Sequence, residues 1–525
     1  KTNPQYAEGY NSIGGIYHKL GKFDAAEKYF VGAIQANKNY AEAYYNLGNT
    51  FFKSGKISAA QQSFGFAAQV QGENMPAMSQ KLYMQALLCD WSGIADFEKL
   101  APRIGIEGDA VEPFSMLSYD DNAERQQKRA ANMIRKRCHV NAVPLPERPV
   151  ARSEKIKIGY FSADFHDHAT LILMIGLLEH HDREKFEIHA YSYGIVKQGV
   201  KRDRLSKLVD SFVDISMASD PQIVAAVRQQ KIDIAVDLKG FTRQGRSGLF
   251  AYRLAPIQIS YLGYPGTLGA DFMDYIVADK VIIPDNLRQF YTEKVIYLPD
   301  SYQPNDRNRI IPETTTTRSD FGLPEKGFVF CCFNSNYKIT PREFDIWMRL
   351  LAKYDDSVLW LLNANEGVRE NLLREVEARG IARERIVFAE RLQEPEHLAR
   401  HKHADLFLDT FNVNAHTTAS DALWAGLPIV TKTGESFAAR VAASLLCAVG
   451  LPELVAETEE QYEALIIDLV ENPGRLAQIR QQLIDNRLSA PLFDSATYTK
   501  HLEKAYVEAY DRYFEGKEPD HIFVS

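Results

Sequence analysis

Residues 7–40 read AEGYNSIGGIYHKLGKFDAAEKYFVGAIQANKNY, and residues 41–74 follow the same pattern in AEAYYNLGNTFFKSGKISAAQQSFGFAAQVQGEN. Each segment is 34 residues long, which is the period of the tetratricopeptide helical hairpin. Gly14 and Phe30 recur at the same two positions of the second copy, and this pairing of a small residue with a ring lets two helices approach closely. The period therefore predicts a helical superhelix at the N-terminal end.

Stacked hairpins of this type present a concave surface that commonly binds extended polypeptides. We therefore expect peptide binding along the repeats, and the alternative is that they serve as a structural spacer. About three units are needed for a stable stack, and Asn3 and Pro4 resemble the end of an earlier unit. We expect further repeats ahead of residue 1.

The rest of the chain changes from helical to alternating patterns. Helices predicted over residues 78–88 and 122–136 cap the repeats, and a proline-bearing stretch at 143–151 predicts a linker. From residue 155 short apolar runs alternate with amphipathic segments, which is typical of parallel sheets covered by helices. The predicted strands are 156–161, 186–191, 232–238, 257–262 and 295–298 in a first unit, then 328–333, 358–362, 385–388, 405–409 and 428–431 in a second.

This pattern predicts an α plus α/β protein of four regions. Because ligands of open parallel sheets bind beyond the carboxyl ends of the strands, we expect the chemistry there. We also expect the final helix, 497–514, to pack back across both sheet domains. The predicted regions are the repeats at 1–74, a helical cap and linker at 75–150, a first α/β domain at 151–311 and a second at 312–525.

The composition limits the classes of function. Among 525 residues, 61 Lys and Arg against 69 Asp and Glu give a formal net charge of −8, which argues against general binding to nucleic acid. The five cysteines form no CxxC pair, so we expect neither a disulfide framework nor a zinc site. We therefore expect the protein in a reducing compartment, the cytoplasm. Apolar stretches stay well short of the roughly 20 residues that cross a bilayer, so we expect no membrane partner.

One candidate site follows the strand predicted at 405–409, where the chain reads DTFNVNAHTTASDALWAGLP. Thr418 and Asp421 have the spacing of a capping box at the start of a helix. Alternatively, His416, Thr417 and Thr418 offer side chains and backbone N–H groups to a diphosphate at a helix N-terminus. The two interpretations are compatible, and the pattern alone does not choose between them.

A second loop at a strand end, NSNYK at residues 334–338, carries Lys338. Its ammonium group can neutralise phosphate oxygens, or it is an ordinary surface lysine. Further along, His397 and Arg400 lie on one helical face of EPEHLARHKH, where base stacking and plain solvation are both consistent with the pattern.

The first α/β domain offers histidines and glycine-rich loops. In SADFHDHAT, residues 162–170, the crowded His and Asp residues suit acid/base chemistry, while a metal site lacks a further ligand cluster. Asp167 is alternatively a helix N-cap. Loops 239–248 and 262–270 can approach a ligand closely. Neither GxxxxGK[ST] nor a strand-borne GxGxxG is present, which argues against P-loop phosphoryl transfer and dinucleotide redox chemistry.

Together these motifs resemble the O-linked N-acetylglucosamine transferase family, which joins tetratricopeptide repeats to a GT-B catalytic region of two Rossmann-like domains. The resemblance covers nearly the whole chain and implies a metal-independent, inverting transfer from UDP-GlcNAc to Ser or Thr hydroxyls of proteins, without a cofactor. The protein acceptors are expected along the repeats. The motifs are SADFHDHAT at 162–170, APIQISYLGYPGTLGADFMDY at 255–275, CCFNSNYK at 331–338, HTTASDALWAG at 416–426 and GESFAARVAAS at 434–444.

The resemblance also implies roles for single residues. It makes Lys338 the catalytic residue that contacts the diphosphate and stabilises departing UDP, and His168 an active-site histidine whose role as general base is disputed in the family. For the donor it implies that His416, Thr417 and Thr418 bind the phosphates, that Asp421 binds the ribose and that His397 stacks on uracil. Further donor contacts are implied for Ser335, Leu262, Gly263 and Pro265. Asp233 and Arg400 are expected to assist.

The sequence departs from the family at three positions. Animal members have a histidine, a glutamine and a lysine where this chain has Asp233, Ser335 and Glu394. UDP-glucose, GDP-fucose as in the plant SPINDLY proteins, and asparagine acceptors therefore remain alternatives, although the HTT triplet and Asp421 favour UDP and O-linkage. A repeat scaffold with an inactive catalytic region is the alternative of another class. The short repeat array suggests a bacterial homologue.

Overall fold

The computed structural model describes residues 5–138, 152–195, 199–363 and 365–525, and the linker predicted at 143–151 lies outside this part of the chain. In the repeats, a Cβ atom added at Gly14 would lie 2.7 Å from the ring of Phe30, so the predicted close packing within the hairpin is confirmed. The same pairing recurs in the second hairpin. The repeat helices are α1 (Gln5–Lys19), α2 (Phe23–Ala36), α3 (Ala41–Lys53), α4 (Ile57–Val70) and α5 (Met75–Leu87).

A helical cap joins the repeats to the sheet domains. It contains α6 (Ile94–Leu100) and α7 (Ala123–Arg137), and the buried Asp120 forms a 3.0 Å ion pair with Arg129 inside it. The next residue, Asp121, accepts hydrogen bonds from the backbone N–H and the hydroxyl of Ser436 at 2.9 and 2.7 Å. The cap is therefore fixed to the second sheet domain.

The first sheet domain is a parallel sheet, because apolar strands alternate with helices that cover its faces. Its order is β7-β6-β5-β4-β1-β2-β3, with the carboxyl ends of all seven strands at one edge. The strands are β1 (Ile156–Ser162), β2 (Phe186–Ser192), β3 (Ser211–Asp214), β4 (Ile234–Asp237), β5 (Ile257–Ser260), β6 (Tyr275–Ala278) and β7 (Lys294–Tyr297), and the helices are α8 (Ala169–His180), α9 (Val200–Leu208) and α10 (Asp220–Gln229).

The second sheet domain repeats this arrangement with strand order β10-β9-β8-β11-β12-β13, again wholly parallel. Its strands are β8 (Val329–Cys332), β9 (Val358–Leu362), β10 (Ile386–Ala389), β11 (Leu406–Leu408), β12 (Ile429–Lys432) and β13 (Val455–Ala456). Its helices are α11 (Pro341–Lys353), α12 (Glu366–Ala378), α13 (Glu394–Arg400), α14 (Thr417–Trp424), α15 (Val441–Val449), α16 (Glu459–Glu471) and α17 (Pro473–Asn486). The predicted class, repeats followed by two parallel-sheet domains of GT-B type, is confirmed.

The C-terminal segment returns to the first sheet, although the sequence pattern groups it with residues 312–525. Helix α18 (Ser495–Phe514) buries Leu502 and Tyr506 in the core of the first domain. Strand β14 (Ile522–Phe523) then pairs with the edge strand β7, with Ile522 beside Ile296. The apolar face of α18 and the open edge of β7 explain this docking, because each buries what would otherwise face water.

In the described ranges the structure has no helix long and apolar enough to cross a membrane.

Candidate active site between the two sheet domains

The core of the site is built from two loops that leave neighbouring strands β8 and β11. Asn334, which follows β8, donates hydrogen bonds to Asp409 Oδ1 at 3.1 Å and to Thr410 Oγ1 at 2.9 Å after β11. Asp409 also accepts the backbone N–H of Ala415 at 2.7 Å. Burial raises the pKa of Asp409 to about 6. This buried group therefore fixes both loops at the carboxyl edge of the second sheet.

Lys338 reaches across from the first of these loops to the second. It ends a short 3₁₀ turn (Asn336–Lys338), and its Nζ donates a 2.7 Å hydrogen bond to the carbonyl oxygen of Asn414. Desolvation lowers the pKa of Lys338 to about 8, and the nearby Asp409 carboxylate only partly opposes this. An ordinary surface lysine would be neither desolvated nor engaged in this way, so that alternative is wrong.

Helix α14 begins at Thr417, with His416 as its N-cap residue. Ala419 and Ser420 bond back to the carbonyl of His416, while across the described residues no hydrogen bond uses the backbone N–H of Thr417 or Thr418. These two N–H groups are the unsatisfied donors expected of a first helical turn. The positive end of the helix therefore opens into the same crevice as Lys338.

The side chains of this turn differ from the predicted capping box. Thr418 Oγ1 donates to Asn334 Oδ1 at 2.5 Å instead of capping the helix, and Asp421 lies inside α14. The capping interpretation is wrong because the helix starts one residue ahead of Thr418. His416 Nε2 lies 3.5 Å from the carbonyl oxygen of Ala438, and desolvation, followed by the charge of Lys338, holds the pKa of His416 far below its usual value.

A charged network occupies the end of the crevice next to α13 and α14. Arg309, from the segment between the domains, donates to Asp421 Oδ1 at 2.5 Å and to Glu394 Oε1 at 2.8 Å. His397 Nε2 lies 3.5 Å from the other oxygen of Asp421. Burial raises the pKa of Asp421, but Arg309 and His397 outweigh it and hold that pKa far below its ordinary value. Asp421 is therefore a stable carboxylate.

This network also joins the two sheet domains. Lys201 on α9 of the first domain forms a 2.7 Å ion pair with Glu394 Oε2 on α13 of the second. Arg309 and Lys201 thus surround Glu394 with positive charge at a position where animal members of the resembled family have a lysine. Neither Arg309 nor Lys201 was predicted, because both lie outside any recognisable motif.

Arg400 supports the site from beneath. It is only 1% exposed, its guanidinium lies 4.4 Å from the centroid of the Phe333 ring, and burial lowers its pKa to about 10. The same ring meets His397 at 5.6 Å between centroids. The solvation alternative is therefore wrong for Arg400, which acts through Phe333 on the placement of His397.

The predicted loop after β5 lies where the two domains meet. Leu262 adopts a left-handed conformation with φ of 68° and packs against the hydrophobic cores of both sheets. A Cβ atom at Gly263 would lie 2.1 Å from the carbonyl oxygen of Leu238, so only glycine fits there. Pro265 is buried in the same loop. Ser335 is exposed on the loop that carries Lys338.

His168 lies at the carboxyl edge of the first sheet. It is the N-cap residue of α8, where Nδ1 accepts the backbone N–H of Thr170 at 3.2 Å and lies 3.3 Å from Asp164 Oδ2. Lys239, which follows β4, donates to the same Asp164 oxygen at 2.5 Å. The N-cap expected at Asp167 is wrong, because that carboxylate instead accepts the N–H of Lys201 at 3.3 Å.

Asp233 is not brought together with the other predicted residues. It precedes β4 at the amino end of the strand, where its carboxylate accepts the backbone N–H of Lys157 at 2.8 Å. Burial raises the pKa of Asp233 to about 6. Since the crevice lies beyond Asp237 at the other end of β4, the assisting role expected for Asp233 does not fit its position.

Throughout the described residues, His, Cys, Asp and Glu side chains form no group of three or more that could hold a metal ion.

Comparisons with known proteins agree with this architecture. The profile of Glycosyl transferase family 41 matches residues 112–315 and 312–502, and a TPR repeat profile matches residues 14–55. A mutant O-GlcNAc transferase from Thermobaculum terrenum has a solved structure that aligns with a TM-score of 0.79 and 26% identity over 98% of each chain.

Two curated relatives carry related descriptions. A probable UDP-N-acetylglucosamine–peptide N-acetylglucosaminyltransferase SEC of Arabidopsis thaliana is 35% identical over 72% of this chain and 40% of its own length. A UDP-N-acetylglucosamine–peptide N-acetylglucosaminyltransferase of Caenorhabditis elegans is 29% identical over 71% of this chain and 42% of its own. The chain thus spans about two fifths of the length of these relatives.

Proposed function

Because the chain belongs to glycosyl transferase family 41, we propose that it transfers N-acetylglucosamine from UDP-N-acetylglucosamine to Ser or Thr hydroxyls of proteins. The descriptions of the Arabidopsis and Caenorhabditis relatives support this donor and a peptide acceptor. The observation that carries the proposal is the shared crevice of Lys338 and the start of α14, in which Lys338 Nζ lies 2.7 Å from Asn414 O.

In this reaction the acceptor oxygen bonds to the anomeric carbon and gives up its proton to the departing diphosphate or to solvent, while the bond from that carbon to the diphosphate breaks. Negative charge then grows on the departing UDP. Lys338 and the free N–H groups of Thr417 and Thr418 face this charge and stabilise the transition state more than the bound donor. Asn334 and Asp409 hold these donors in place beforehand, so little reorganisation is needed.

The same groups support a reaction without a metal or other cofactor. A divalent ion beside a diphosphate neutralises the leaving group, and here an ammonium group and a helix N-terminus supply positive charge at that point. A single displacement from the face opposite the leaving group inverts the anomeric configuration, which is the stereochemistry that we propose. Turnover that persists in EDTA supports this part of the proposal, and loss of turnover that Mg²⁺ restores contradicts it.

The charged network suits the nucleoside. Asp421, kept as a carboxylate by Arg309, can accept hydrogen bonds from ribose hydroxyls, and the half-buried ring of His397 offers a face to the base. Phe333 and Arg400 fix that ring from below. This arrangement assigns the α13–α14 end of the crevice to uridine.

His168 is held in place at the start of α8. Its Nδ1 accepts the N–H of Thr170 at 3.2 Å and lies 3.3 Å from Asp164 Oδ2, so the ring has a fixed orientation at the carboxyl edge of the first sheet. We therefore assign His168 to orientation of the sugar or acceptor at the first-domain wall.

We further propose that the acceptors are proteins held along the repeats, and that the reaction takes place in the reducing cytoplasm. The stacked hairpins support the first point. The second is supported by the cysteines, since all five are free thiols and neighbouring Cys331 and Cys332 are buried without pairing.

The test is incubation of the protein with Ser- or Thr-containing peptides and each of three donors, UDP-GlcNAc, UDP-glucose and GDP-fucose, followed by mass spectrometry. We expect one added N-acetylhexosamine on a Ser or Thr with UDP-GlcNAc. Addition of hexose or deoxyhexose, or modification of Asn, contradicts the proposed donor or linkage. Absence of any transfer by the natural protein and by a Lys338→Ala variant alike favours a binding scaffold.

A further inference from the structure

A second cleft lies between the repeats and the first sheet domain, apart from the donor crevice. Its volume is about 510 Å³, and its walls come from α3, α5, the end of α7 and the glycine-rich loop 240–248 that follows β4. The transfer chemistry above uses none of these wall residues. We call this space the repeat cleft.

The repeat cleft carries unneutralised positive charge. Three cationic side chains line it, and of these Arg137 is paired with Glu112, the carboxylate in its wall. Lys53 and Arg243 have no ion pair or hydrogen bond with any described residue, and desolvation together with the charge of Arg243 lowers the pKa of Lys53. The chain as a whole has a formal charge of −8, so the positive charge of this cleft is opposite in sign to the net charge of the chain.

Aromatic rings form the remaining wall. Tyr45, Phe52, Tyr83 and Phe114 all face the cleft, and the guanidinium of Arg243 lies 5.7 Å from the centroid of the Phe52 ring. This contact places the cation over the face of an aromatic ring, beside the apolar part of the wall. A ligand with carboxylate groups spaced along an apolar, extended backbone fits such a wall.

The repeat cleft adjoins the donor crevice on two sides. The rings of Tyr83 and Phe114 contact Tyr337, the residue before Lys338, at 6.3 and 6.1 Å between centroids. On the other side, the wall loop begins directly after Lys239, whose amine is bonded to Asp164 beside His168. A polypeptide lying in the cleft can therefore extend into the crevice where transfer is proposed.

We propose that the repeat cleft binds an acidic stretch of the acceptor polypeptide, next to the Ser or Thr that receives the sugar, through Lys53 and Arg243. This inference rests on the proposed glycosyl transfer and adds a preference among acceptors. It follows from charge complementarity, because the two cations have no acidic partner among the described residues and line a cleft that adjoins Tyr337, the neighbour of the catalytic lysine. Acidic segments bind faster and better at such a surface than neutral ones of the same shape.

The test compares three peptides with the same acceptor Ser, flanked by runs of Asp, Asn or Lys, as substrates of the natural protein and of a Lys53→Glu/Arg243→Glu variant. We expect the natural protein to have a kcat/KM roughly tenfold higher for the Asp peptide than for the Asn peptide. Two partly screened ion pairs, one to Lys53 and one to Arg243, give a preference of about this size. The variant should lose this preference and favour the Lys peptide. Added salt should reduce both preferences.

A matched control, Lys38→Glu/Arg374→Glu, makes the same charge change at exposed positions outside the cleft and should keep the preference of the natural protein. A thermal shift with UDP verifies that each variant is folded. Transfer to all three peptides at equal rates, or an unchanged preference in the cleft variant, overturns this inference alone. Absence of transfer to every peptide overturns the proposed function instead. A phosphoserine peptide that outperforms the Asp peptide identifies phosphate as the preferred anion of the same site.

Discussion

Lys338 and Asn414 connect the two halves of the donor crevice. The amine of Lys338 lies 2.7 Å from the carbonyl oxygen of Asn414, two residues before His416 caps helix α14. An anion placed at this point can therefore meet the ammonium group and the helix N-terminus at the same time. Neutralisation of a leaving diphosphate requires that the ammonium group and the helix N-terminus lie this close together.

The pKa of Lys338 predicts how UDP affinity depends on pH. Because that pKa is about 8 in the free protein, the amine loses its proton as the pH rises through 8, and UDP affinity should fall by up to about tenfold by pH 9.5. A Lys338→Arg variant stays charged and should bind UDP with little change over this range. Isothermal titration from pH 7 to 9.5 measures both, and a natural protein whose affinity is flat across this range contradicts the role of Lys338.

The pair of Arg309 and Asp421 predicts recognition of the ribose. If Asp421 accepts the ribose hydroxyls, the natural protein should bind UDP more tightly than 2′-deoxy-UDP, by roughly threefold to thirtyfold. Arg309→Met leaves Asp421 without the partner that orients it, so the ratio of the two affinities should shrink. Arg307→Met in the same segment serves as the control. An Arg309→Met variant that weakens both nucleotides equally would assign Arg309 a purely structural role.

The helix packing in the repeats predicts the effect of a single methyl group. An added Cβ at Gly48 lies 2.8 Å from the ring of Phe64, so Gly48→Ala should destabilise the repeats by about 1–3 kcal/mol. Gly65→Ala is the matched control, because no atom lies within 4 Å of its added Cβ and alanine favours the helix. Thermal melts followed by circular dichroism should show a lower midpoint for the first variant only.

Asp233 should affect stability but not catalysis. Its pKa of about 6 lies above the unfolded value, so the folded state binds more protons between about pH 4 and 6 and loses stability as the pH rises through this window. Asp233→Asn should remove that loss and raise the thermal midpoint at pH 7. The pH profile of turnover should stay that of the natural protein, and a shifted profile would return Asp233 to the reaction.

Much of the fold could be predicted because the buried strands of a parallel sheet have unbroken runs of apolar residues in the sequence. The runs at 156–161 and 358–362 coincide closely with β1 and β9. By contrast, β3 is only half-buried and β14 has two residues, so neither leaves a run to detect. The final helix was expected to pack across both sheet domains, and α18 buries its apolar side chains in the core of the first domain, a choice that depends on tertiary packing.

The candidate site was predictable only where its residues lie in motifs at strand ends. Lys338 and His416 lie in the loops that follow β8 and β11, and the sheet topology then brings them together. Arg309 lies in a segment without regular structure, so its pairing with Asp421 emerges only from the folded chain. The capping box was misleading because its spacing is satisfied by chance inside α14.

Neutralisation of the leaving diphosphate by Lys338 is tested by measuring both turnover and stability of a Lys338→Met variant. Its side chain keeps the volume but removes a desolvated charge, so the thermal midpoint at pH 7 should rise or stay the same while transfer from UDP-GlcNAc to a Ser peptide falls at least a hundredfold. Mass spectrometry of the peptide measures the transfer. A stable Lys338→Met protein that glycosylates the peptide at the natural rate would contradict the account.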